Sequence, residues 1–147
     1  MSDVVLTIGV LIFRNNNKEV LLVKHGEKAG HPTGIYGLPS GRVEVNETEK
    51  QASVRELKEE TGFETSENFL IELPYDFGVT ELKRKKGTML CSWKVFICNK
   101  YFGEMQTDGE ETLPEWVKIS GLNKYWLSPG IKIAVSEGIK YLEENEN

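Results

Sequence analysis

The segment from Thr48 to Gly62 constrains this chain most strongly, because it predicts an amphipathic helix with clearly marked ends. Thr48 and Gln51 fit a capping box, in which the threonine hydroxyl accepts a hydrogen bond from a backbone amide one turn on and the glutamine reaches back. Gly62 supplies a left-handed stop. Helical spacing places two sets of residues on separate stripes: Val54, Leu57 and Thr61 on the first, and Glu56, Glu59 and Glu60 on the second. One face is therefore predicted to pack against the protein, while the other presents carboxylates.

Short runs of β-branched and aliphatic residues on both sides of this helix predict strands. They are residues 4–13, 19–24, 69–73, 88–98 and 115–119. Three consecutive asparagines at positions 15–17 predict a hairpin turn between the first two strands. Ser128 and Pro129 predict the cap and the first turn of a terminal helix with an apolar stripe. Strands interrupted by one central and one terminal helix predict an α/β layered fold, with a sheet covered on both sides.

Two segments are predicted to be loops. Residues 25–40 concentrate glycine and proline, and they should form a long loop that ends in a short extended piece. His25 and His31 within it are interpreted as loop residues, because two histidines without a third ligand are weak evidence for a transition-metal site. The basic residues 83–86, followed by Gly87, predict a solvated turn, and contact with a phosphate tail or a nucleic-acid 5′ end is the alternative. Long loops such as residues 25–40 are often functional.

The length of 147 residues is that of about one domain, and the net charge of −5 argues against partners that require a positive surface. Nucleic acids and anionic membranes are therefore disfavoured. The apolar stretch near the N-terminus is shorter than the ~20 residues that span a bilayer. Cys91 and Cys98 would point to opposite faces of one strand, which favours free thiols in a reducing compartment. These features predict a single cytoplasmic domain over residues 1–147 with no membrane contact.

The helix belongs to a longer pattern that begins at Gly41, runs GRVEVNETEKQASVRELKEETGF and ends at Phe63. Its seven fixed positions are Gly41, Glu47, Arg55, Glu56, Glu59, Glu60 and Gly62, and apolar residues stand at Leu57 and Phe63. In these residues and their spacing the chain resembles the Nudix hydrolases. The preceding YGLPSG is similar to the family's aromatic-x-Leu-Pro-Gly-Gly lead-in, with Ser40 in place of the first glycine. An acidic cluster alone is typical of a solvated helix face, whereas the complete pattern favours a functional site.

The resemblance implies a fold and a reaction. Nudix proteins are α/β/α sandwiches with a mixed β-sheet, which we expect here as one domain with its signature at residues 41–63. They are hydrolases that act on acid anhydrides in phosphorus-containing compounds. The expected reaction is Mg²⁺-dependent hydrolysis of the pyrophosphate linkage of a nucleoside triphosphate or an ADP-sugar such as ADP-ribose, with Mn²⁺ as a substitute metal. A cation is also expected on physical grounds, because an acidic protein needs hard divalent ions, held by oxygen ligands, to approach a polyanionic substrate.

The resemblance also implies roles for individual residues. The expected metal ligands are Glu56, Glu59, Glu60 and the backbone carbonyl of Ser40, and the expected catalytic residues are Glu56, Glu59, Arg55 and Glu110. Arg55 is expected to pair with Glu47 and so to orient the acids that bind metal. Family members differ in whether a helix glutamate or an acid from a later loop is the general base. A helix acid and Glu110, with Glu111 beside it, therefore both stay open for that role.

Candidates for substrate contacts lie outside the helix. Arg42 and Lys24 occupy positions where relatives often place phosphate-binding cations, although a lysine that ends a strand is also ordinary at a solvated surface. Trp126 lies beside Tyr125 in a loop and is the candidate for stacking on a nucleobase. Trp93 lies in an apolar strand, which favours a place in the core.

Several alternatives remain at the level of sequence. The expected partner is a small-molecule nucleotide, and a homodimer is one option because many relatives are dimers. The residues that mark ADP-ribose or dinucleoside polyphosphate hydrolases are absent, since Gly78 and Val79 stand at those positions. A nucleotide-binding sensor without catalysis is one alternative, although it could lose helix acids that this chain keeps. Removal of RNA 5′-end pyrophosphate is another, favoured by the basic residues 83–86 and disfavoured by the net charge of −5.

Overall fold

The computed structural model describes residues 3–106 and 111–145. Within them the strands are β1 (Val5–Leu11), β2 (Phe13–Arg14), β3 (Glu19–His25), β4 (Tyr36–Gly37), β5 (Ser40–Arg42), β6 (Leu70–Glu72), β7 (Val79–Arg84), β8 (Gly87–Cys98) and β9 (Thr112–Lys118). The helices are α1 (Glu49–Thr61) and α2 (Ile131–Glu144), and short 3₁₀ turns cover Glu67–Phe69 and Ile119–Lys124.

The strands form two sheets. In the first sheet the order is β5-β1-β8-β6, and β7 pairs with the remaining part of β8. β1 and β8 run parallel, whereas β5, β6 and β7 are antiparallel to their partners, so this sheet is mixed. In the second sheet β3 pairs antiparallel with β2, β4 and β9. The predicted α/β fold with a mixed sheet is confirmed.

The pleat of β1 separates two apolar layers. Ile8 and Val10 point to one face, where they pack with Leu57 of α1. Leu11 points to the other face and packs in a cluster that includes Val135 of α2. All of these residues are buried, and successive strand residues face opposite sides of a sheet. The two helices therefore cover opposite faces, which is the predicted α/β/α arrangement.

The predicted first strand, residues 4–13, is divided between the two sheets. β1 ends at Leu11 and β2 begins at Phe13, with buried Ile12 between them. The prediction of one strand is wrong because the apolar run continues without a break while its backbone changes partners, from β8 to β3. The predicted turn is confirmed, since the three asparagines at positions 15–17 have φ values of 58°, 57° and 61°.

The predicted basic turn begins later than the sequence indicates. Lys83 and Arg84 lie in β7, so that the turn consists of Lys85 and Lys86. Alternate side chains of β7 are half-buried, but this inward set contains a hydroxyl and a cation as well as Leu82. The apolar alternation that predicts a strand is therefore missing, although the backbone pairs with β8 along its whole length.

The terminal helix also begins later than predicted. Gly130, with φ of 86°, is its N-cap and provides no side-chain cap. Ser128 is not the cap because its amide donates to the Tyr36 carbonyl at 2.8 Å, while Leu127 forms a bridge with Tyr36. These contacts keep the segment extended beside β4. The predicted apolar stripe is buried at Ile131, Ala134 and Val135.

Two further expectations concern the chain as a whole. Cys91 and Cys98 are both buried and free, as predicted. No helix in the described part of the chain is long and apolar enough to cross a membrane.

Candidate active site

Helix α1 carries the acids of the candidate site, and both of its ends are built as predicted. The Gln51 amide donates to the Thr48 hydroxyl at 3.1 Å, and the Thr48 amide donates to the Gln51 side-chain oxygen at 2.8 Å. At the other end Gly62 adopts φ of 86°, and its amide donates to the Lys58 carbonyl at 2.9 Å. Leu57 is fully buried and anchors the apolar face. The caps and this anchor hold the helix on which the acids stand.

Arg55 is the centre of a charged network on α1. Its Nε and Nη2 donate to the two carboxylate oxygens of Glu47 at 2.8 and 2.9 Å, which makes a bidentate pair. Its Nη1 donates to Glu56 at 2.6 Å and to Glu59 at 3.4 Å. Nη2 also donates to the Arg42 carbonyl at 3.0 Å. Arg55 therefore orients two helix acids and ties them to the end of β5.

The same network controls the protonation of Glu47. Hydrogen bonds from the Arg55 side chain and from the Glu44 amide lower the pKa of Glu47 to about 2. Its side chain is 14% exposed, so the pair is largely shielded from solvent. Glu47 therefore stays charged under all ordinary conditions.

We expect Glu47→Gln to lower the free energy of unfolding near neutral pH, because the variant loses the negative charge that pairs with Arg55. The pKa of Glu47 is depressed below its ordinary value of 4.5, so the contribution of this carboxylate to stability is complete above about pH 4.5 and disappears as the pH falls toward about 2. Urea unfolding of wild type and variant from about pH 7 down to pH 3 measures the difference between their free energies of unfolding, which should narrow below about pH 4.5. A difference that stays constant over this range would contradict the expectation.

Gly41 lies directly against the carboxylate of Glu56. A Cβ atom at position 41 would be 2.3 Å from Glu56 Cδ, which is closer than carbon atoms pack. The Glu56 side chain is 14% exposed. Burial raises the pKa of Glu56, and repulsion from Glu59 and Glu47 adds to this, while Arg55 opposes it. The glycine of the sequence pattern thus leaves room for one partly buried carboxylate.

Ser40 holds Glu60 beside the same strand, β5. The Ser40 amide donates to Glu60 Oε1 at 2.7 Å. Burial raises the pKa of Glu60 well above its usual range; the Ser40 amide opposes this, and repulsion from Glu56, Glu59 and Glu111 adds to it. Ser40 does not adopt a positive φ, so a serine stands in the place of the family's glycine without strain. Two crowded carboxylates therefore lie beside β5.

This set of donors suits a hard divalent cation. A cation favours the charged form of carboxylates that repel one another, and Mg²⁺ prefers oxygen ligands. In the structure Glu56 faces Arg55, Glu60 faces an amide and Glu59 is 58% exposed. Among the described residues, no three acidic, histidine or cysteine side chains already have the geometry to hold one ion. A cation would therefore have to draw carboxylates away from these internal donors.

A cleft opens beside the carboxylates. It contains about 630 Å³ of empty space that is open to solvent, and Ser40, Gly41 and Arg42 form the wall that it shares with the acids. Its other walls come from the loop after β3, from the β7–β8 hairpin and from the start of α2. Apolar side chains in the lining are Leu38, Leu82, Met89, Trp93 and Ile131. This combination of apolar side chains with a few polar and cationic ones suits a small organic molecule such as a nucleotide.

Only one of the three predicted substrate-binding residues lies in this cleft. Arg42 lines it. Lys24 is exposed on β3 and Trp126 is 56% exposed in the segment before α2, and neither lines the cleft. Trp93, predicted to lie in the core, packs against the core cluster and also lines the cleft.

The predicted loop acid Glu110 lies outside the described residues. Its neighbour Glu111 is exposed, and its charge is one of those that raise the pKa of Glu60. The Glu111 carbonyl accepts a hydrogen bond from the Gly26 amide at 2.8 Å. The end of this loop is therefore tied to the residue after β3, on the side of the helix acids.

The cleft also contains His25 at the end of β3 and His31, both predicted to be ordinary loop residues, and Arg84 from the basic residues 83–86. The two imidazole centroids are 4.4 Å apart, and His25 is 4% exposed. Among the described residues, His25 Nδ1 has no hydrogen-bond partner. Burial, with a contribution from Arg84, lowers the pKa of each histidine to about 4. The glycine-rich loop signals function in this region, but the sequence does not show that β7 folds over it.

Comparison with known proteins identifies the family. The NUDIX domain family matches residues 4–133. The 8-oxo-dGTP diphosphatase of Escherichia coli (strain K12) is 35% identical over 120 residues, which cover 80% of this chain and 84% of that protein.

Solved structures share the fold. The MutT NUDIX hydrolase from Burkholderia pseudomallei matches with a TM-score of 0.74 at 22% identity, over 92% of this chain and 98% of that chain. The NUDIX domain of Shewanella oneidensis NrtR, complexed with ADP ribose, matches with a TM-score of 0.68 at 17% identity, over 97% and 90% of the two chains. These matches confirm the resemblance in the signature, and the chain belongs to the Nudix family of pyrophosphohydrolases, enzymes that act on acid anhydrides in phosphorus-containing compounds.

Proposed function

We propose that this protein hydrolyses the pyrophosphate linkage of a nucleoside triphosphate or of an ADP-sugar such as ADP-ribose, with Mg²⁺ as its metal and Mn²⁺ as a substitute. The observation that carries the proposal is the pair of Glu56 and Glu60, which lie against Gly41 and Ser40 of the cleft wall. Both carboxylates have a raised pKa, because burial disfavours their charged forms and neighbouring carboxylates repel them. Arg42 adds a cation on the shared wall.

The proposed metal ligands are Glu56, Glu59, Glu60 and the backbone carbonyl of Ser40. When bound, Mg²⁺ supplies charge neutralisation for the pyrophosphate and lowers the pKa of the attacking water. Arg55 acts as a positioning residue, because it holds Glu56 and Glu59 by hydrogen bonds to their carboxylates.

In the proposed reaction a water oxygen forms a bond to one phosphorus of the linkage. The bond between that phosphorus and the bridging oxygen breaks, and the bridging oxygen leaves with the other phosphate. A carboxylate accepts the proton of the water as general base. The candidates are Glu59 on the helix and Glu110 and Glu111 in the later loop. The products are a nucleoside monophosphate with pyrophosphate, or with a phosphorylated sugar when the substrate is an ADP-sugar.

The similar proteins support both substrate classes. The E. coli relative is an 8-oxo-dGTP diphosphatase, which supports a nucleoside triphosphate. The Shewanella domain is complexed with ADP ribose, which supports an ADP-sugar. A decisive assay must therefore contain substrates of both classes.

We expect the pure protein to consume one class from a panel of nucleoside triphosphates including 8-oxo-dGTP, ADP-ribose, other nucleotide sugars and dinucleoside polyphosphates. Chromatography of the products identifies the class. Activity should disappear with a chelator and return with Mg²⁺ or Mn²⁺, because the crowded carboxylates need a cation to accept a polyanion. No turnover of any substrate, with nucleotide binding retained, would contradict a hydrolase and favour a nucleotide-binding sensor.

Three accompanying expectations stay predictions. The free thiols of Cys91 and Cys98 support a cytoplasmic location. Exposed lysines at positions 83, 85 and 86 are compatible with an RNA 5′ end, whereas the net charge of −5 favours a small nucleotide. Light scattering of the pure protein tests the homodimer.

A further inference from the structure

We propose that Arg84 and Arg42 form an anion subsite in the cleft that binds a third phosphoryl group of the substrate, which selects nucleoside triphosphates over ADP-sugars. This inference rests on the proposed hydrolysis at the helix acids and adds Arg84, from the β7–β8 hairpin, to the proposed site.

Arg84 is held over the cleft by the loop after β3. It is half-buried on the inward side of β7, and its Nε donates to the Gly30 carbonyl at 3.1 Å. The Lys85 amide donates to the same carbonyl at 2.9 Å. A Cβ at Gly30 would be 1.9 Å from Arg84 Nη2, so the glycine leaves room for the end of the guanidinium. The tip of the β7–β8 hairpin therefore fixes one cation at the cleft wall.

Neither cleft arginine has an acidic partner among the residues that the structure describes. Arg42 Nη2 contacts Met89 Sδ at 3.3 Å, and Arg84 binds a backbone carbonyl. Burial lowers the pKa of Arg84, and repulsion from Arg42 adds to this. Surface cations usually find a carboxylate or full solvation. Two cations that repel each other in a cleft are stabilised by an anion from outside, and guanidinium groups match phosphate oxygens in a bidentate fashion.

The position of the two cations indicates how many phosphoryl groups the substrate has. Arg42 follows the two residues that contact the helix acids, Ser40 and Gly41, whereas Arg84 lies on the opposite hairpin. In the proposed reaction the two phosphoryl groups of the cleaved linkage bind at the helix carboxylates. An ADP-sugar has no further phosphoryl group, while a nucleoside triphosphate has one more for the arginines.

The two cleft histidines add no charge to the proposed subsite. His25 and His31 lie beside Arg84, and burial lowers the pKa of each to about 4, so both imidazoles are neutral near pH 7. A neutral imidazole still offers one N–H donor. The histidines therefore contribute a donor without adding charge.

Binding of inorganic tripolyphosphate to the metal-free protein tests the subsite without requiring catalysis. Calorimetric titration compares wild type with Arg84→Gln and with Lys86→Gln, which removes the same charge from an exposed residue of the same hairpin. We expect Arg84→Gln to weaken binding about tenfold, as for a lost charge-assisted hydrogen bond, and Lys86→Gln to change it less than about twofold. Arg84→Lys should fall between them, because it keeps the charge and loses the planar fork. Equal losses in the two glutamine variants, or no binding to wild type, would overturn the subsite.

Kinetics separate this inference from the proposed reaction. In Arg84→Gln, kcat/KM should fall about tenfold for a nucleoside triphosphate, mainly through KM, and stay unchanged for ADP-ribose. Lys86→Gln should change neither value. An equal fall for both substrates would overturn selection by the third phosphoryl group while leaving the hydrolase intact. An inactive wild type that still binds tripolyphosphate through Arg84 would instead overturn the reaction and keep the anion subsite.

Discussion

Glu56→Gln is expected to lower kcat about 10³-fold. Glu56 is the acid that Gly41 and Arg55 hold at the edge of the cleft. A metal that neutralises developing phosphate charge supplies several kcal/mol, and each 1.4 kcal/mol corresponds to about a factor of ten in rate. Loss of one proposed anionic ligand should remove a large part of that stabilisation. Initial rates with saturating Mg²⁺ and the substrate found in the panel measure the effect.

The same variant is expected to be at least as stable as the wild type in the absence of metal. Burial raises the pKa of Glu56 above the ordinary value, so folding favours the neutral form and the charged carboxylate lowers stability near pH 7. Glutamine is neutral at every pH, and its side-chain oxygen still accepts a hydrogen bond from Arg55. Thermal unfolding of metal-free protein measures this. A large fall in melting temperature would show that the carboxylate supports the fold rather than the reaction.

Glu64→Gln is the matched control for this variant. Glu64 is 57% exposed just beyond α1, and its ion pair with Lys58 at 2.8 Å lies away from the cleft. The control should keep wild-type turnover. Mg²⁺ should raise the melting temperature of wild type and of the control more than that of Glu56→Gln, because a ligand that binds the folded state more tightly stabilises it more. Normal turnover in Glu56→Gln would remove Glu56 from the proposed site.

The acid-bearing helix could be predicted from sequence because all of its determinants are local. The capping box at Thr48 and the left-handed stop at Gly62 lie within the segment that they define. The spacing of Arg55 and the acids then places them on one surface, since helix neighbours three and four residues apart share a face. The network around Arg55 follows from this periodicity with one addition, Glu47, which the resemblance to the family supplies.

The parts that could not be predicted depend on contacts between distant segments. Ile12 divides an unbroken apolar run because the two sheets lie on either side of it. Arg84 belongs to the cleft because β7 folds over the loop around Gly30, which is 54 residues away. Ser128 does not cap α2 because Tyr36 binds its amide. The sequence therefore indicates the helix acids, whereas the cleft beside them becomes visible only in three dimensions.

Gly41→Ala is expected to lower kcat about 10²-fold without contacting the substrate. The new methyl group would lie 2.3 Å from Glu56 Cδ, and the end of a flexible side chain is what gives way. The carboxylate is therefore displaced but not removed. A misplacement of about 1 Å at a reacting centre costs on the order of 10²-fold. Stability should fall only slightly, because Gly41 does not adopt a positive φ and alanine fits its backbone.

Gly121→Ala is the control, because a Cβ there meets no atom within 4 Å. It should leave kcat unchanged. Combining Gly41→Ala with Glu56→Gln distinguishes a steric effect through Glu56 from general damage to the helix. If Gly41 acts through this carboxylate, the double variant should be about as active as Glu56→Gln alone, since two changes in one interaction are not additive. If the fold-losses in kcat of the two single variants multiply in the double variant, Gly41 acts on the site by another route. Its pairing with β1 is then the first alternative.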